Sequence, residues 1–96
     1  MRLEQSPDAQ ADLAEITAYG AENFGAMRAL DYLARIEQCF RQLSDYPKSG
    51  RADPAVHPRV RSLSCGSHRI YYSIDADTIT VRRILHKASD AARWLG

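Results

Sequence analysis

Apolar positions Ala9, Leu13, Ile16, Gly20 and Phe24 are separated by steps of four, three, four and four, which gather them on one side of a helix. Ser6-Pro7-Asp8 marks where that helix begins: a hydroxyl to accept from an orphan N–H, a proline suited to the first turn and an acid that complements the dipole. Asp12, Glu15 and Glu22 are assigned mostly off the stripe. Gly25 supplies the break. A second stripe, Ala29, Leu33, Ile36, Phe40 and Leu43, predicts a helix over residues 26–44. So short a connection folds the two helices into an antiparallel hairpin, and neither can bury its stripe alone.

Residues 46–58 hold Pro47, Gly50, Pro54 and Pro58 among polar neighbours and are predicted to be a loop. Strand-like runs follow at 59–64, 68–74 (HRIYYSI) and 78–85 (TITVRRIL), and residues 2–5 supply a short strand at the N-terminus. Turns of about three residues leave no room for crossovers, so the last three strands form an antiparallel meander. Ile70, Tyr72 and Ile74 share one face with Ile79, Val81 and Leu85, and the helices are expected on that side. Parity sends Arg69, Tyr71, Arg82 and His86 to the other. Arg83 falls with the apolar set, which requires either a buried stem or a bulge near Arg82-Arg83. Residues 88–95 are expected to add one or two helical turns docked by Trp94 and Leu95. The fold class is α+β in the order β-α-α-β-β-β, a helical hairpin on one face of a mainly antiparallel sheet with a short helical tail, all one domain over residues 1–96.

Composition narrows the function. The chain is 45% hydrophobic and 26% charged, an ordinary globular mixture. No apolar run approaches the roughly 20 residues of a membrane span, and Met1–Ser6 lacks a signal-peptide body, so a cytoplasmic chain is expected. Cys39 and Cys65 fit no metal or disulfide framework and are expected as reduced thiols. The net charge of +1 conceals a polarised chain. Up to Tyr46 there are four basic and eight acidic residues; beyond it, nine basic and four acidic. One face built for an anionic partner, nucleic acid or an acidic protein segment, would account for this.

No nucleophile elbow, phosphate loop or histidine pair at ligand spacing is present, so no cofactor and no metal are expected. The basic sheet offers one chemistry. His86 could act as acid or base while Arg69, Arg82 and Arg83 hold phosphate and Tyr71 stacks on a base, as RNA cleavage requires. A structural role for each is the competing account. His68 is expected to be a capping or solvent-facing residue, Cys65 a strand-end packing residue, and Tyr32, Tyr46 and Tyr72 core or core-edge aromatics. Trp94 is either a plug for the tail or a partner contact.

Taken in order, SPDAQADLAEI, Tyr19, Phe24-Gly25, Ala29, Tyr32, Pro47, Gly50-Arg51, Arg61, HRIYYSI, VRRILH, Asp90 and Arg93 resemble the ParE group within the RelE/ParE superfamily of toxins from type II toxin–antitoxin systems. The resemblance spans nearly the whole chain. It implies a βααβββ toxin, a cognate ParD-like antitoxin that wraps and silences it in a hetero-oligomer, and DNA gyrase as the target, with no catalytic residue in the toxin. Direct contact with nucleic acid is left open, and no membrane partner is implied. RelE relatives instead cut messenger RNA on the ribosome, and Arg69, Arg83 and His86 are the residues that arrangement would use. The loop before the sheet offers only Lys48 and Asp53 toward the basic and acidic cluster of those relatives. A third possibility is an inactive toxin-like co-repressor. The partner-binding surface is expected to comprise Arg61, Arg69, Tyr71, Arg82, Arg83, His86 and Trp94, facing an acidic amphipathic antitoxin segment that folds as it binds.

Overall fold

The computed structural model describes residues 1–95. Strand β1 (Arg2–Gln5) leads into α1 (Pro7–Phe24) and α2 (Ala26–Asp45); β2 (Arg51–Ala52), β3 (Arg61–Cys65), β4 (His68–Asp75) and β5 (Thr78–His86) follow, and α3 (Ala91–Leu95) ends the described chain. The sheet order is β1-β5-β4-β3-β2. Only the β1–β5 pair is parallel, so the first strand lies beside the last and the meander stands as expected. The two-residue β2, inside what the proline content marks as loop, was not foreseen; it pairs with β3 through Arg51 with Ser62 and Ala52 with Arg61.

Ser6 caps α1 as its hydroxyl predicts, accepting from the Ala9 N–H at 3.0 Å. The same hydroxyl donates to the Arg82 carbonyl at 2.8 Å, and the Ser6 N–H donates to the Val81 carbonyl at 2.9 Å. The hairpin is therefore stitched to β5 where β1 ends. Ala9, Ile36, Phe40 and Leu43 pack on Ile70, Tyr72, Ile79, Val81 and Ile84. Each such aliphatic side chain contributes about 1.5–3 kcal/mol through removal from water. Phe24, the last residue of the first stripe, is 58% exposed. Tyr46 is likewise at the surface, not at the core edge.

A bulge at Arg82 decides which way the rest of β5 faces. Tyr72 pairs with Val81 but Tyr71 pairs with Arg83, leaving Arg82 as the extra residue. One inserted residue reverses the inside-outside alternation of everything beyond it. Ile84 thus joins the core beneath the helices, and Leu85 moves to the far side with Tyr71, Val60 and Ala91. The assignment of Leu85 to the helix face, and of His86 to the opposite one, is corrected by this single insertion.

Candidate functional site

Beyond Gln5 the edge of β5 has no strand beside it, and α1 takes over. The Asp12 carboxylate accepts from the Ile84 N–H at 2.9 Å and binds Arg83 through two bonds of 2.8 Å, from Nε and from a terminal nitrogen. Asp12 is only 8% exposed. These hydrogen bonds to Asp12 push the Arg83 guanidinium pKa still higher, securing its charge. The guanidinium carbon also lies 5.3 Å from the centre of the Trp94 ring, and that of Arg93 lies 5.7 Å from it. An indole flanked by two cations thus stands where the tail meets the sheet, and half of it is open to solvent. Asp12 was missed in the sequence although a signal existed. It lies three residues after Ala9 and four before Ile16, on the apolar stripe itself, and an acid there needs a buried partner.

The side of the sheet away from the hairpin carries Arg69, exposed in part, but it is not an open cationic platform. Val56 and Val60 of the loop, with Ala91 and Leu95 of the tail, close over Tyr71 and Leu85. Tyr71 is 5% exposed, so it has no free ring face for stacking on a base. Burial raises its phenol pKa. Arg61 projects toward the other side and donates to the Gly50 carbonyl at 3.1 Å. Arg82, at the bulge, is the exposed arginine of β5. Of the residues expected together on one surface, Arg69, Arg82 and Trp94 retain solvent access, Arg83 is paired with Asp12, and Tyr71 is covered.

His86 joins a different group. Its ring centre is 5.6 Å from that of His68, on the helix side, and Nδ1 of His68 lies 2.6 Å from the Tyr32 hydroxyl. That hydroxyl also accepts from the Ser67 N–H at 3.0 Å. Gly66 makes the close approach possible: its φ of 59° is left-handed, and a Cβ there would sit 2.7 Å from the Tyr32 ring. The two imidazoles and Tyr32 border a cavity of about 710 Å³ whose other walls include Ile16, Tyr19 and Phe24. His68 is therefore a hydrogen-bonded, half-buried residue, not a solvent-facing cap.

Burial lowers the His68 pKa, the neighbouring His86 lowers it further, and Asp12 opposes both. The unfolded chain then binds a proton that the folded chain refuses, so stability falls as pH drops through the ordinary histidine range near 6.5. Thermal melts across pH 5 to 7.5 should show this decline, and His68→Gln should flatten it. An unchanged slope in the variant would remove His68 as its source.

Comparison with known proteins agrees with this fold. The model of the ParE toxin of the type II toxin–antitoxin system, parDE, matches residues 3–91. Toxin ParE1 of Mycobacterium tuberculosis, strain H37Rv, is 36% identical over 91 residues, covering 94% of this chain and 93% of the relative. Toxin ParE3 of Caulobacter vibrioides is 28% identical over 95 residues, covering 99% and 95%. A solved chain described as the chromosomal ParDE TA system from P. aeruginosa superposes with a TM-score of 0.79 at 24% identity, covering 90% of this chain and 95% of that one, and supports the fold. The chain belongs to the ParE toxin family of type II toxin–antitoxin systems. Among the described residues no helix is long and apolar enough to cross a membrane.

Proposed function

We propose that this chain is the growth-arresting toxin of a ParDE-type pair, held silent in a hetero-oligomer by a ParD-like antitoxin, and that the free toxin acts in the cytoplasm by binding DNA gyrase. The observation that carries it is the family match over residues 3–91. The dispersal of the alternative catalytic set supports a binding mechanism over RNA cleavage. Arg69 pairs with Leu85 and His86 with His68, which puts Arg69 and His86 on opposite faces of the sheet. Arg83, the third member, is committed to Asp12. General acid–base cleavage needs its proton carriers and cations around one phosphate, and these three do not surround one.

Recognition is assigned to the cation-flanked indole of Trp94 together with Arg82 and Arg69. An aromatic anchor beside guanidinium groups is the composition that dominates protein interfaces, and the surrounding positive charge suits the acidic antitoxin segment expected from the sequence. Induction in growing cells should then cause DNA breaks and an SOS response, which a co-expressed antitoxin or a resistant gyrase relieves. Translation in a purified extract should continue. Loss of translation with cleaved messenger RNA would instead establish the nuclease, and unharmed growth would establish the co-repressor. Trp94→Ala should raise survival on induction by roughly tenfold or more, the loss of a hot-spot contact, while a cooperative melt shows that the domain still folds. Undiminished killing by that variant would exclude the tail from the target surface.

A further inference from the structure

Two thiols meet where α2 packs on the end of β3. Cys39, on α2, is partly exposed, and Cys65, at the end of β3, is buried at 3% exposure. Their Sγ atoms are 2.6 Å apart, the Cys39 thiol donating to the Cys65 sulfur. The elements carrying them are fixed independently. The Tyr32 hydroxyl, two turns before Cys39 on α2, bonds to the Ser67 N–H at 3.0 Å and lies 3.3 Å from the Cys65 carbonyl. Helix and strand end are thus clamped beside the thiols, which cannot drift apart without breaking the clamp.

We propose that Cys39 and Cys65 form a modification site, at which a hydroperoxide oxidises the pair and joins α2 to β3 by a disulfide. Cys39 reacts first because it is the one that solvent reaches. Its thiolate attacks a peroxide oxygen, the O–O bond breaks, and a sulfenic acid forms with release of one water when the oxidant is hydrogen peroxide. The Cys65 sulfur then attacks Cys39 Sγ, the S–O bond breaks, and a second water leaves. Two thiols and one peroxide give one disulfide and two waters, with two electrons passed to oxygen. Burial, followed by the hydrogen bond and charge of Cys39, pushes the Cys65 thiol up to about 12. Cys65 is therefore the resolving thiol and not the one that meets the oxidant.

The closed loop contains β2 and the proline-rich segment, and the cross-link removes freedom from the unfolded chain. The test uses the full chain, reduced and then treated with hydrogen peroxide. Non-reducing tryptic digestion should yield residues 36–41 linked to residues 62–69, with two hydrogens lost from the intact mass. The melting temperature should rise by roughly 10 °C or more and return with dithiothreitol. Cys39→Ser should abolish both the linked peptide and the shift. Two free thiols after treatment, a sulfinic acid on Cys39, or disulfides only between chains would each overturn the proposal, and none of these outcomes depends on a variant folding.

Discussion

Asp12→Ala lowers the unfolding free energy by roughly 3–5 kcal/mol, the cost of leaving one member of a buried ion pair alone. Three donors lose their acceptor together: two from Arg83 and the Ile84 backbone N–H. Neither partner is far enough in solvent for water to substitute, with side-chain exposures of 17% for Arg83 and 9% for Asp12. A fall in melting temperature of roughly 15 °C is expected for a domain of this size. Asp12→Asn should cost less, because an amide oxygen still serves Ile84. Removing both charges in Asp12→Leu with Arg83→Met should recover part of the loss, since the penalty belongs to the orphaned cation and not to the absence of the pair. An Asp12→Ala protein that melts within a degree of wild type would show that this carboxylate does not hold the edge of β5.

Gly50→Ala comes second, at about 3 kcal/mol. The position needs no unusual backbone angle; its constraint is space. A Cβ there would meet the Tyr72 hydroxyl at 2.6 Å, the Tyr72 ring at 2.7 Å and the Ser62 carbonyl at 2.8 Å. Tyr72 is fully buried and Ser62 lies in β3, so neither yields easily, and overpacking a core of this kind costs about 1–3 kcal/mol. The Tyr72 hydroxyl also accepts from the Gly50 N–H at 3.0 Å and donates to the Pro47 carbonyl at 2.7 Å, so displacing the ring sacrifices buried hydrogen bonds as well. Urea denaturation measures the loss. Combining the change with Tyr72→Phe should be less than additive, because the hydroxyl is part of the clash. Full additivity would place the strain elsewhere.

The helices were legible in the sequence because 3.6-residue spacing is a local property, and Ser6 and Gly25 mark their ends by local chemistry. The strands were legible as segments for the same reason. Which face each residue took was not, beyond Val81. Alternation carries no memory across an inserted residue, and Arg83's misfit with the apolar set was its one trace. Followed through, that misfit would have moved Leu85 and His86 as well. Tyr71 shows a second limit: its cover comes from Val56, Val60, Ala91 and Leu95, distant in sequence, and no periodicity within β4 reports them. The site was legible in part. Trp94 and the arginines were singled out by type, but the pairing of Arg83 with Asp12 joins residues 71 apart, and the Tyr32–His68 contact joins residues 36 apart.

The parallel pairing of β1 with β5 sets when this sheet can close during synthesis. Residues Arg2–Gln5 wait for Val81 and its neighbours, nearly the whole chain later. Closing so long a loop comes late, and it cannot begin on a ribosome until β5 has emerged. A chain interrupted before Thr78 carries two amphipathic helices without β5, whose Ile79, Val81 and Ile84 they lie on, and an indole that has not yet been made. Completion of the sheet is thereby postponed to the final moments of synthesis.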